Sequence, residues 1–175
     1  MAFADPASIV NYFGLKPDMT VADFGAGSGA YALAMAEQVR PNGKVYAIDV
    51  QKDLLVTLKN TAKERHLTNL EVLWGDIENL GGSKIGDQII DFVLLSNVLF
   101  QTKASYKMAI ETKRILKPSG QVAIIDWAES FGGLGPRPED IMAAEEAKKI
   151  FGQAGFAYEK SFPVGDHHYG LIFKK

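Results

Sequence analysis

The sequence predicts an α/β fold in which one mostly parallel sheet carries helices on both faces. Three observations support this. Short apolar, strand-like runs alternate with helix-like stretches along the 175 residues, and that alternation is the signature of a parallel sheet with helical crossovers. The glycine-rich stretch VADFGAGSGAY, residues 21–31, directly follows an apolar run and opens a helix. The last two strand-like runs, within FAYEKSFPVGDHHYGLIFKK, have no helix between them. Neighbouring strands joined by a short turn pair antiparallel, so the final strand should oppose the others.

Residues 5–14, DPASIVNYFG, read as a short leading helix within a segment spanning 1–18. Asp5 suits its N-cap, Pro6 its first turn and Gly14 its end. TVADF is the first sheet strand, and residues 28–39, rich in Ala, Leu and Met, form a helix. KVYAIDV is entered through the turn Pro41-Asn42-Gly43. Residues 52–66 place Leu54, Leu55, Leu58 and Ala62 on one helical face. LEVLWGD is a third strand and IIDFVLLSN a fourth; the unbroken apolar run of the latter fits a strand covered on both faces. A helix over 104–116 stops at KPSG, and QVAIIDW is the fifth strand. After the loop GGLGPRPED, Pro138 with Glu139 and Asp140 begins a helix reaching Gly152 or Gly155. The terminal pair brings the strand count to seven.

The length suits one domain over residues 1–175. There are no cysteines, which excludes disulfides, thiolate metal sites and cysteine nucleophiles. The net charge of −2 lacks the basic excess of a protein that grips nucleic acid through phosphates. No apolar run approaches the roughly 20 residues of a membrane span, and MAFADPASIV lacks the pattern of a secretory signal. A soluble, cytoplasmic protein is expected.

The glycine loop predicts a ligand. Gly25, Gly27 and Gly29 remove side chains beside a helix N-terminus, whose free N–H groups suit an anionic or carboxylate group. GAGSGA also fits the dinucleotide pattern G-x-G-x-x-G/A through Gly25, Gly27 and Ala30, and Asp49 stands where a ribose-binding acid belongs. A nicotinamide-dependent oxidoreductase is therefore one reading. Against it, Asp23 sits two residues before the first glycine, where a carboxylate repels a pyrophosphate but attracts an ammonium or sulfonium. Asp76, after the third strand, suits an exocyclic adenine amine. No stretch supplies a substrate domain, and Y-x-x-x-K occurs only at Tyr12–Lys16, ahead of the loop.

Taken together, these stretches resemble the class I S-adenosylmethionine-dependent methyltransferases over almost the whole chain. VADFGAGSG is similar to the family's first motif, AID ending at Asp49 to its second-strand acid, and GDI at 75–77 to its adenine-contact motif. IIDFVLLSNVLF is similar to the fourth-strand motif and LKPSGQVAIIDW to the turn and fifth strand. The resemblance implies a Rossmann-like sheet of order 3-2-1-4-5-7-6 with strand 7 antiparallel, and S-adenosylmethionine as cofactor. It further implies that Asp23, Gly25, Ala26, Gly27 and Gly29 hold the methionine part, with the backbone of Ser96 and Asn97 closing that end. Asp49 would accept the ribose hydroxyls, Val50 would cover one adenine face, and Gly75, Asp76 and Ile77 would meet the adenine edge.

The implied acceptor is a small molecule. The fourth-strand motif reads Ser96-Asn97-Val98-Leu99 rather than the (N/D)-P-P-(Y/F) of enzymes that methylate amino groups of adenine or glutamine. Cytosine C5 and arsenite methyltransferases require cysteines. DWAESFGGLGPRPED resembles, more weakly, quinone-biosynthesis and related type 11 enzymes, with Gly135-Pro136-Arg137 where those show G-P-P. The chain is short for the family, so either the substrate is small or a second copy, in a homodimer, completes the pocket. Asp126, Glu129 and His168 are the candidates for a base, and Trp127 and Phe131 for an apolar wall. His167 and His168 are adjacent and would point to opposite faces of a strand, so no metal site is expected there. A catalytically silent cofactor-binding domain is the remaining alternative.

Overall fold

The computed structural model describes residues 5–175 apart from 132 and 134. Seven strands form one sheet of order β3-β2-β1-β4-β5-β7-β6. They are β1 (Thr20–Phe24), β2 (Lys44–Asp49), β3 (Leu70–Trp74), β4 (Ile90–Ser96), β5 (Leu116–Trp127), β6 (Ala157–Phe162) and β7 (His168–Lys174). Pairings from β3 to β5 are parallel, and β7 runs antiparallel to both β5 and β6. The helices are α1 (Pro6–Val10), α2 (Ala30–Gln38), α3 (Lys52–Glu64), α4 (Ser105–Ile115) and α5 (Ala144–Gln153). Among the described residues, no helix is long and apolar enough to cross a membrane.

Side-chain alternation sends each central strand into two cores. Phe92 and Leu94 of β4, with Ala123 and Ile125 of β5, pack beside α1, α2 and Leu58 of α3. Val93 and Leu95, with Val122 and Ile124, pack beside Met108 of α4 and Phe151 of α5. A period of two with both faces apolar is what a doubly covered strand requires. Phe13, stacked on Phe92 at 5.0 Å, closes the first core at the leading segment.

Local chemistry explains the boundaries. Asp5 caps α1 by accepting from the Ser8 N–H at 3.2 Å. The chain then tightens into a 3-10 turn over Asn11–Phe13 and stops at Gly14, whose φ of +66° is left-handed. The helix after the glycine loop starts at Ala30 rather than 28, because Gly29, at φ +81°, is its N-cap.

Two expectations need correction. KPSG does not stand outside the fifth strand: β5 begins at Leu116, and residues 117–120 bulge within it. Ile90 pairs with Leu116 and Phe92 with Gln121, so two steps on β4 match five on β5. The last helix begins at Ala144, not Pro138. Pro138–Asp140 is one 3-10 turn with no buried residue, whereas Ala147 and Phe151 are buried in α5. A first turn without an apolar face has nothing to offset the cost of nucleation.

The loop between β3 and β4 is pinned from α4. Glu111, fully buried, accepts from the Gly81 N–H (2.7 Å) and the Ser83 hydroxyl (2.5 Å), and Arg114 donates to it at 2.7 Å. That anchoring fixes the segment following Trp74, which borders the site.

Candidate active site

The β1–α2 loop is held by backbone bonds. The Gly25 and Ala26 N–H groups both donate to the Ile48 carbonyl at 2.9 Å, and the Gly29 N–H donates to the Ala26 carbonyl at 2.8 Å. Gly25, Gly27 and Gly29 have φ of +74°, +55° and +81°, a region that L side chains enter at a cost. Their surroundings differ. A Cβ on Gly25 would stand 2.3 Å from Val98 Cγ1, and one on Gly29 2.2 Å from Leu58 Cδ1. A Cβ on Gly27 would meet nothing nearer than the Gly25 carbonyl at 4.0 Å. Leu58 thus accounts for Gly29 by protein packing, while Gly27 keeps a methyl out of open space.

That space is a cleft of 430 Å³ across the C-terminal ends of β1, β2 and β4. Asp49, at the end of β2, organises its rim. One oxygen accepts from the Gly27 N–H at 2.8 Å and the other from the Gln51 N–H at 2.8 Å. Asp23, 2% exposed on β1, lies deeper. Burial pushes its carboxyl up to about 7; the Ala32 amide opposes this, and the charge of Asp49 adds to it. Val50, 58% exposed, Gly75 and Ile77 border the cleft on the β2–β3 side. Beside Val50, Trp74 donates to its carbonyl at 3.1 Å and carries the Lys52 ammonium 3.9 Å over its ring.

Asp76 is placed differently from its neighbours. Its carboxylate accepts from the Glu78 N–H at 2.9 Å and from Asn79 Nδ2 at 2.6 Å, and it does not border the cleft. Each oxygen keeps a further lone pair. Ser96 and Asn97 end β4 on the opposite wall. Asn97 is left-handed, at φ +56°; its N–H donates to the Ile125 carbonyl at 2.8 Å, and its Oδ1 is buried without a hydrogen-bond partner.

A second cleft of 180 Å³ adjoins the first. Tyr31 and Asn97 border both. The smaller one is completed by Pro6 ahead of α2, Ile125 and Trp127 of β5, and Val164 and His168 from the terminal hairpin. Gly135, at φ +85°, lies against Trp127: a Cβ there would stand 2.8 Å from the indole ring. Ser130 donates its hydroxyl to the Pro136 carbonyl, which fastens the loop beside that contact.

The three candidate bases fall in three environments. Asp126 is fully buried and borders neither cleft. It accepts from the Leu99 and Trp127 N–H groups, each at 2.8 Å, and so anchors the turn over Leu99–Gln101. Burial still pushes it up to about 6. Glu129 meets His167 Nδ1 at 2.8 Å, and Phe131 stacks on the same ring at 4.2 Å. His168 borders the smaller cleft, its ring 4.2 Å from that of Trp127. Burial, then the neighbouring His167, lowers its pKa below the ordinary histidine value. Trp127 therefore forms a wall, whereas Phe131 packs on His167.

Sequence reasoning missed Tyr31, Gln101, Val164 and Pro6. Tyr31 could have been found, since it sits in the first turn of the helix opened by the glycine loop. Nothing local marks Val164. Among the described residues, no group of three or more His, Asp or Glu is arranged to hold a metal ion.

The lining decides between the two cofactor readings. The larger cleft presents three carboxylates, from Asp23, Asp49 and Glu78, and neither lysine nor arginine. A pyrophosphate would find the N–H groups at the start of α2 but no cationic side chain, and three acids around it. A ligand carrying an ammonium or sulfonium would find acids, and two ribose hydroxyls would find the oxygens of Asp49. The residues fit an adenosyl amino-acid cofactor and not a dinucleotide.

Comparison with known proteins agrees. A model of the methyltransferase domain family matches residues 15–162. A solved SAM-dependent methyltransferase from Aquifex aeolicus superposes with a TM-score of 0.89 at 31% identity, covering 98% of this chain and 90% of that one. An arsenite methyltransferase from Halobacterium salinarum is 26% identical over 127 residues, 73% of this chain and 31% of its own length. A demethylmenaquinone methyltransferase from a Geobacillus species is 28% identical over 107 residues, 61% of this chain and 44% of its own length. The chain thus spans less than half the length of these two curated relatives.

Proposed function

The chain belongs to the class I S-adenosylmethionine-dependent methyltransferases, and we propose that it methylates a small molecule by in-line displacement. The observation that carries this reading is the adjacency of the two clefts across Tyr31 and Asn97: one suits the cofactor, and the other is the space beside it. When bound, the cofactor supplies an activated methyl group. The protein's own task is to orient and to exclude water.

In this reading Asp49 accepts the ribose hydroxyls, and its hold on the Gly27 N–H keeps the loop preformed. Asp23 faces the ammonium group, with Gly25, Ala26 and Gly27 leaving room for the methionine part. Gly29 supports the loop from below. Val50 covers the adenine, and Gly75, Asp76 and Ile77 meet its edge. Ser96 and Asn97 bound the methionine end. The acceptor lies against Trp127 and His168, and of Asp126, Glu129 and His168 only the last is available to it.

Arsenite does not fit this chain, which offers no thiolate to hold arsenic. A neutral organic acceptor does. Incubating the protein with the cofactor and a panel of small phenols, enols, amines and carboxylates, read as adenosylhomocysteine release, tests the proposal. Acceptor-dependent release is expected. Cofactor binding with no release on any acceptor would favour a silent binding domain instead.

A further inference from the structure

We propose that the smaller cleft selects an uncharged acceptor bearing an O–H or ring N–H, and that His168 receives that hydrogen bond. The inference rests on the reading above that this cleft holds the acceptor. Its lining of Pro6, Tyr31, Asn97, Ile125, Trp127, Val164 and His168 contains no aspartate, glutamate, lysine or arginine, in contrast to the three carboxylates next door. Of the acids near this end of the sheet, Asp126 accepts from the Leu99 and Trp127 N–H groups, Glu129 meets His167, Asp5 caps α1 and Asp23 lies in the larger cleft; the charges of the last two reach Tyr31. A charged acceptor would lose hydration there and find no charged side chain in the lining to pair with.

The polar side chains that remain can donate or accept: the Tyr31 hydroxyl, the Trp127 indole N–H, the Asn97 amide and the His168 ring. Burial, then the neighbouring His167, lowers the His168 pKa, which favours the neutral ring, and a neutral imidazole has one unprotonated nitrogen that can accept a hydrogen bond. A ligand O–H or ring N–H can donate to that nitrogen, and an ether or a carboxylate cannot. The volume of 180 Å³ sets the scale: an apolar cavity of about 150 Å³ holds benzene, so roughly one ring fits.

Calorimetric titration of 4-methylphenol, 4-methylanisole, benzoate and benzylammonium, with and without saturating adenosylhomocysteine, tests the proposal. The phenol should bind about tenfold tighter than the other three, the equivalent of about 1.4 kcal/mol. His168→Phe should remove most of that advantage, His168→Gln should keep part of it, and adenosylhomocysteine affinity should be unchanged in both. Equal or tighter binding of a charged probe, no difference between phenol and anisole, or no binding of any probe would overturn the inference. Failure of adenosylhomocysteine to bind would overturn the cofactor reading instead, while the order of the probes on the free protein still decides this one.

Discussion

Asp49 and Asp23 are both acids at the mouth of the glycine loop, and they do different work. Asp49 satisfies two backbone N–H groups, at Gly27 and Gln51. Asp49→Ala leaves both unpaired, and a lost partner costs about 1–3 kcal/mol. The expected result is a chain at least about 2 kcal/mol less stable in urea, with adenosylhomocysteine binding abolished. Asp23 carries a cost of its own. Its pKa rises on folding from 3.8 to about 7, so the folded chain holds an extra proton between those values and stability falls as pH rises through that window. Above it the penalty is on the order of 4 kcal/mol, at about 1.4 kcal/mol per unit. Asp23→Asn should therefore raise the melting temperature most at pH 8, less at pH 5 and little below pH 4, while weakening adenosylhomocysteine at least about tenfold. A variant that melts lower at pH 8 would contradict the buried-charge account.

At the scale of elements, the glycine loop shows why spacing was readable and function was not divisible from it. Three glycines at alternate positions signalled close approach, but not whether ligand or protein approaches. Leu58 approaches Gly29, Val98 approaches Gly25, and space lies over Gly27. Gly29→Ala should cost about 2–4 kcal/mol, combining left-handed strain with overpacking on fully buried Leu58. Gly27→Ala should cost only the strain, about 1–2 kcal/mol, yet weaken adenosylhomocysteine more. Urea denaturation with ligand titration separates the two, and equal stability losses would contradict the assignment. Strands were legible because both faces of β4 and β5 are apolar. The bulge at 117–120 and the start of α5 were not, because Lys-Pro-Ser-Gly and Pro-Glu-Asp are sound local signals that tertiary packing overrides.

At the scale of the molecule, the larger cleft lies where the sheet order turns from β1 to β4, the switch point at which open α/β sheets bind ligands, and the smaller adjoins it toward β5 and β7. The cofactor side was legible in the sequence because it depends on backbone demands within short motifs: left-handed glycines, and acids ending strands. The acceptor side was legible only at Trp127 and His168. Pro6, Tyr31, Trp127, and Val164 with His168 come from four separate places, and only the fold brings them together. The same lining bears on the expected homodimer: the described residues of a single chain border both clefts, and nothing in them calls for a second copy. One measurement tests the central claim most directly, the parallel calorimetric titration of the protein with adenosylhomocysteine and with NAD. The account predicts saturable binding of adenosylhomocysteine, about one per chain, and none of NAD. Tight binding of NAD, with no heat from adenosylhomocysteine, would contradict it.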